Sequence, residues 1–270
     1  MLKKLFRYDW QAQKRLLLPI MGATVGTGLL GLLLLEIVFS LKENASVLRF
    51  SLIAFYVLTI ITMLACSLVV EFLIVMRYYK NFFTDEGYLT FVLPATIEEQ
   101  VGAKILSGSL LSFLAFVSIC LGLFFAAGIP VMQFAAKNGD MIALIKDVLS
   151  AFIDIVEIAP GQIILALVSA VVTLFAEIIL LYTAITLGSL LINKHKILGS
   201  VLFYFVINTI VGTLNSLISG IFSVTVIRSA ENIMFSTLLA QGVSIILYLI
   251  LGVCGGLFTV YMLKHKINLS

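Results

Sequence analysis

Stretches in which apolar side chains cover every face of a helix recur at about 16–41, 47–76, 105–131, 163–192, 197–227 and 233–263. A helix crossing hydrocarbon needs about 20 such residues. The pattern therefore predicts six transmembrane helices. Several runs are longer than a core of about 30 Å requires at about 1.5 Å per residue, so their ends must tilt or project past the interface. A membrane β-barrel is excluded, because barrel strands alternate polar and apolar positions. No stretch remains for a separate soluble domain.

Three segments outside the spans have a pattern of their own. In 1–15, Lys3, Lys4, Arg7, Lys14 and Arg15 fall within about 120° of arc at helical spacing, with Leu2, Leu5, Phe6 and Ala12 opposite and Trp10 at the edge. This predicts an amphipathic helix lying along the inner membrane surface. Asp9 breaks the apolar arc and points to a specific partner.

In 77–103, Pro94 forbids one continuous helix, and Thr96 with Glu99 forms a capping box for the helix that becomes the third span. Thr84, Asp85 and Glu86 suit the start of a shorter helix, with acids at its positive end. That helix carries Tyr88, Leu89 and Phe91, and aromatics beside an acidic edge form a docking knob for another protein. The third segment, 132–160, gathers Asp140, Lys146, Asp147, Ser150, Asp154 and Glu157 on one arc and ends at Pro160 and Gly161. It is expected outside, on the outer leaflet or over the bundle, with a solvated polar face.

Composition agrees with a membrane chain: 61% of the 270 residues are hydrophobic, 11% are charged, and the mean hydropathy is +1.18. Seventeen Lys and Arg against 14 Asp and Glu leave a net charge of +3, too dispersed for a nucleic-acid surface. The distribution of the cations says more than their sum. Twelve (Lys3, Lys4, Arg7, Lys14, Arg15, Arg77, Lys80, Lys104, Lys194, Lys196, Lys264, Lys266) fall on one side of the predicted spans, and five (Lys42, Arg49, Lys137, Lys146, Arg228) on the other. The positive-inside rule then puts both termini in the cytoplasm and makes the first run an uncleaved span. Cys66, Cys120 and Cys254 lie inside apolar runs, with no CxxC spacing and an odd count, so neither a disulfide framework nor a zinc site is implied.

Catalytic chemistry finds little support. The closest approach to a phosphate-binding loop is Gly102-Ala103-Lys104, followed by Ile105 rather than Ser or Thr. His195 and His265 sit between lysines at helix ends, without paired metal-ligand spacing, and Ser109 has no histidine at its depth. The chain is read as a non-enzyme holding no metal or cofactor.

Polar groups within spans are costly and therefore informative. Glu177 lies midway along the fourth span, whereas Glu36 and Glu71 lie nearer the ends of theirs. The fifth span carries Asn208, Gly212, Asn215, Ser216, Ser219 and Ser223 in steps of three and four. Glu177 is expected either to be protonated and hydrogen-bonded between helices or, with Asn208 and Asn215, to line a substrate path between two copies of the chain. Gly22 with Gly26, Gly212 with Ser216 and Gly220, and Gly252 with Gly256 have the spacing that permits close helix approach.

The opening LKKLFRYDWQAQKR and the stretch FFTDEGYLTFVLPATIEEQVGAKIL over 82–106 resemble the ABC-2 type membrane subunits (permeases) of bacterial ABC exporters, especially short ones from Firmicutes. The resemblance implies an all-α membrane protein of the type V exporter kind, with one transmembrane domain over 1–270. It further implies a connecting helix at 1–15, an ATPase-coupling segment within 77–103 that uses Asp85, Glu86, Tyr88, Leu89 and Phe91, and a location in the bacterial cell membrane. The partners it implies are a separate ABC ATPase that carries ATP and magnesium, a second permease copy as homo- or heterodimer, and membrane lipids. The substrate class it suggests is amphipathic: a peptide, an antimicrobial compound or a lipid. One departure is the short 227–233 connection, where such exporters often hold re-entrant helices. The competing readings are a secondary transporter or channel, and a membrane immunity protein without transport.

From the charge asymmetry, a reporter active only outside the cell and fused after Ser270 is expected to remain silent. Strong activity there would overturn the six-span count.

Overall fold

The computed structural model describes residues 1–41, 46–84, 86–92, 94–130, 146, 150, 160–192, 195–224 and 230–265. Among these residues all regular structure is helical. The helices are α1 (Leu2–Ser40), α2 (Ser46–Phe83), α3 (Glu86–Val92), α4 (Ile97–Leu123, extended by a π-helical turn Phe124–Gly128), α5 (Pro160–Leu191), α6 (Lys196–Val224) and α7 (Ala230–His265). All except α3 are long and apolar enough to cross a membrane, giving the six expected from the sequence. Their outward faces carry residues such as Phe50 at 76%, Leu68 at 70% and Leu198 at 68% exposure. A soluble protein would bury such faces, whereas lipid covers them.

The helix ends follow local rules. Thr96 and Glu99 close the capping box at the start of α4: the Glu99 amide donates to Thr96 Oγ1 at 3.3 Å and the Thr96 amide to Glu99 Oε2 at 3.4 Å. Pro160 opens α5, where its missing N–H has no intrahelical partner to lose. Lys264 and His265 occupy the last turn of α7, beside its negative end. Several span hydroxyls are satisfied by their own helices: Thr27 donates to Thr24 O, Thr62 to Leu58 O and Thr209 to Phe205 O.

One expectation is corrected. The segment 1–15 is helical, but it is not a separate helix. It runs on as the first turns of α1, a single helix of 39 residues with Pro19 inside it. A proline removes one amide from the ladder and need not end a helix whose neighbouring turns are held. The segment 132–160 lies outside the described residues except for Lys146, Ser150 and Pro160.

The chain forms two compact units, residues 1–9, 75–109 and 155–270 in the first and 10–74 with 110–154 in the second. In the first unit, α5 packs against both α6 and α7. Thr183 Oγ1 meets Thr259 Oγ1 at 3.0 Å and donates to Gly255 O at 3.2 Å, which ties α5 to α7. In the second unit α1, α2 and α4 meet. Ser112 donates to Glu71 there at 3.1 Å, which supplies the half-buried acid of α2 with a partner.

Close helix approach does occur, but at other glycines than the spaced pairs suggest. A Cβ on Gly28 would lie 2.4 Å from Gly122 O, and one on Gly122 would lie 2.5 Å from Met63 Sδ. Gly22, Gly26, Gly212 and Gly220 have nothing within 4 Å, while Gly252 and Gly256 make ordinary contacts at 3.7–3.8 Å. Spacing places glycines on one face without saying whether that face meets a neighbour. Gly28→Ala is expected to destabilise the purified protein in detergent by about 1–3 kcal/mol, because backbone must move. Gly22→Ala, measured by the same thermal unfolding, should be tolerated.

Candidate functional site

Asp9 is the centre of the most strongly connected polar group in the first unit. It lies on the arc of α1 opposite the lysines and is 8% exposed. Its Oδ1 accepts from Arg77 Nε of α2 at 3.0 Å and faces Lys104 Nζ of α4 at 3.4 Å, while Oδ2 accepts from Ser107 Oγ at 2.5 Å. The partner that its place on the apolar arc called for is thus within the chain. One carboxylate joins three helices. Removing one member of such a buried group strands the other charges at a cost of about 3–5 kcal/mol.

Lys104, itself 7% exposed, extends the group towards α3. Its Nζ stands over the Phe82 ring at 5.6 Å. The Asn81 amide, oriented to suit its neighbours, accepts from Lys104 Nζ at 2.5 Å and donates to Glu86 Oε2 at 3.1 Å. Glu86 is in the first turn of α3. The other end of α3 is held by Gln100, whose Nε2 donates to Thr90 O at 2.9 Å and to Ala95 O at 3.3 Å. Gln100 and Lys104 are one turn apart on the same face of α4. Behind them, Tyr182 of α5 donates to Lys104 O at 3.3 Å and stacks on Tyr78, with ring centroids 4.0 Å apart. Tyr78 in turn shares a hydrogen bond of 3.0 Å with Thr186.

Of the residues expected to contact a partner, Glu86 is exposed on α3, and Tyr88 and Leu89 fall within that helix. Asp85 lies outside the described residues. Phe91 corrects the expectation of a free aromatic: it is half-buried against Phe82, with ring centroids 6.0 Å apart. A helix of 7 residues cannot stand alone, so it spends part of its apolar surface on the body that holds it. Among the described side chains of α3, Val92 is exposed, at 82%. Lys264 of α7 pairs with Glu98 of α4, and Leu2 packs within 3.4 Å of the Cβ position of Gly102. The start of α1 and the end of α7 therefore flank α4 at the same end as α3.

Glu177 is half-buried on α5 and lies near the Tyr248 hydroxyl of α7. Asn215 of α6 is also tied to α7, accepting from Ser244 Oγ at 2.8 Å. Among the described residues no hydrogen bond joins Glu177 to Asn208 or Asn215. Asn208 is exposed, two turns along α6 from Asn215. The polar seam thus runs through α7, which the sequence reading passed over. Thr237, Gln241, Ser244 and Tyr248 follow at steps of four, three and four, with Gln162 Nε2 of α5 donating to Thr237 Oγ1 at 2.9 Å. That spacing was legible, but four uncharged residues in a long apolar helix raise little signal.

Among the described residues no group of three or more His, Cys, Asp or Glu comes together to hold a metal. No family model, no curated protein and no solved structure matches the chain.

Proposed function

We propose that the chain is the membrane subunit of an ATP-binding cassette exporter of the ABC-2 kind, working as a pair of permease copies above separate ATPase subunits in a bacterial cell membrane. The observation that carries this reading is α3. It is a short helix outside the spans, held at its start by Asn81 of α2 and at its other end by Gln100 of α4, at the end of the first unit that also gathers the start of α1 and the end of α7. A connection between two spans has no need of such a braced element unless something pushes on it. Rigid support is what a docking helix requires to pass a displacement from a soluble motor to the spans. The positive-inside distribution puts this end in the cytoplasm, where ATP is available. The sequence of 82–106, which contains α3 and its cradle, is also where the family resemblance is strongest.

The test is a complex. Co-expressed with its ATPase, the chain should purify in stoichiometric association and confer substrate-dependent ATP hydrolysis. Tyr88→Ala combined with Asp85→Lys should release the partner or uncouple hydrolysis from transport. Full complex yield with normal coupled activity in that double variant would remove α3 from the role.

In the same reading, Glu177 with Asn208 and Asn215 lines the substrate path between two copies. A carboxylate in hydrocarbon must be neutral, paired or wet, which makes a mid-span acid costly to retain for packing alone. Glu177→Gln keeps the size but not the titration, and Glu177→Leu removes both. Both variants are expected to assemble with the ATPase, and at least one to transport poorly. Normal transport by both would reduce Glu177 to a packing residue.

A further inference from the structure

We propose that Asp9 and Lys104 are positioning residues for α3: the buried Asp9 charge fixes Lys104, and Lys104 fixes α3 through Asn81. The inference rests on the reading of α3 as the docking element, and it assigns control of that element to a residue on a different helix that never reaches the docking surface.

The argument starts from the length of α3, 7 residues. Isolated helices shorter than about 12–15 residues are marginal even with good helix formers, and Glu86–Val92 includes Gly87, Thr90 and Val92. Tertiary anchors must hold it. At its C-terminal end the anchors are the Gln100 amide and the contact of Phe91 with Phe82. At its first turn the anchor is Glu86, bound by the Asn81 amide, whose oxygen faces Lys104 Nζ.

An amide donates more strongly when its carbonyl is polarised by a cation, so the ammonium strengthens the bond that Asn81 makes to Glu86. The position of Lys104 is therefore the position of the α3 start. Lys104 cannot set its own place: a long flexible side chain, buried near a second cation, Arg77, stays only if an anion holds it. That anion is Asp9, oriented by Ser107 and shared with Arg77. Without the carboxylate, the buried Lys104 ammonium is left beside the half-exposed Arg77 guanidinium with no anion between them, and the like charges move apart. Lys104 would then leave Asn81, and the start of α3 would lose its anchor.

Four charges make the group self-balancing, with Asp9 and Glu86 against Arg77 and Lys104. A shift of Glu86 away from Asn81 leaves Asp9, Lys104 and the half-exposed Arg77 with one excess positive charge. The link therefore works in both directions: a push on α3 is felt at Asp9 on α1, and a change at Asp9 is felt on α3.

The test uses the full chain in lipid nanodiscs, with Cys66, Cys120 and Cys254 replaced by serine and a nitroxide spin label on a cysteine at Val92, which is 82% exposed. A second label, at Leu198, serves as the control. The parent should show, at position 92, the restricted motion of an exposed site on an anchored helix. Asn81→Ala breaks the link at a half-buried residue without stranding a charge, so it should fold, and it should raise the mobility at 92 while leaving 198 unchanged. Asp9→Asn should do the same. Asp9→Glu and Ser107→Ala keep the charge and should keep the parent spectrum. An unchanged spectrum at 92 in folded Asn81→Ala overturns the proposal, as does equal mobilisation by Ser107→Ala, which would mean general loosening. The readout needs no ATPase. Mobilised α3 with undiminished ATPase binding would sustain the positioning role and remove the docking reading instead.

Discussion

A carboxylate withdrawn from water must be met by positive charge and by hydrogen-bond donors, or it will not stay where the fold puts it. Asp9 meets that requirement with Arg77, Lys104 and Ser107, drawn from two further helices. Once those three are committed, the rest of this end of the first unit follows. Lys104 faces Asn81, Asn81 takes Glu86, and Tyr182 brings α5 against the same turn of α4. Lipid gives no hydrophobic drive for one apolar helix to prefer another, so a charge group of this kind can specify which helices meet and in what register.

The spans were legible because their signal is one of length and uniformity. Residues 163–192 are apolar nearly throughout, and no packing partner is needed to infer a helix there. The capping box of Thr96 and Glu99 was legible for a similar reason, since both partners lie within one turn of sequence. Asp9 was half legible. Its place on the apolar arc marked it as unusual, but Arg77 and Lys104 are far away in sequence and read equally well as positive-inside charges. A cation gives no local sign of whether it faces water or a buried acid.

The glycines were legible only as spacing. Gly22 and Gly26 carry the right spacing and meet open space, while Gly28, outside that pair, presses on Gly122. Close approach depends on which face another helix selects, and that choice is made by the whole bundle. The same limit applies to α7, where Ser244 and Tyr248 matter because Asn215 and Glu177 stand opposite them. The separate surface helix expected over 1–15 reflected an honest property of that stretch, its amphipathic moment, but such a moment is equally served by packing against α4.

The Asp9 group also has an order in time. Its members lie at positions 9, 77, 104 and 107, so a ribosome delivers the acid first, one cation after the second span, and the remaining cation and hydroxyl only as the third span begins. Until residue 107 has been made, the acid cannot be fully paired. Asp9 precedes the apolar run of α1, so it can wait in water while the first two spans enter the bilayer. Closure of the group then falls at the start of the third span, so the ties of Asp9 are complete only when α4 has arrived.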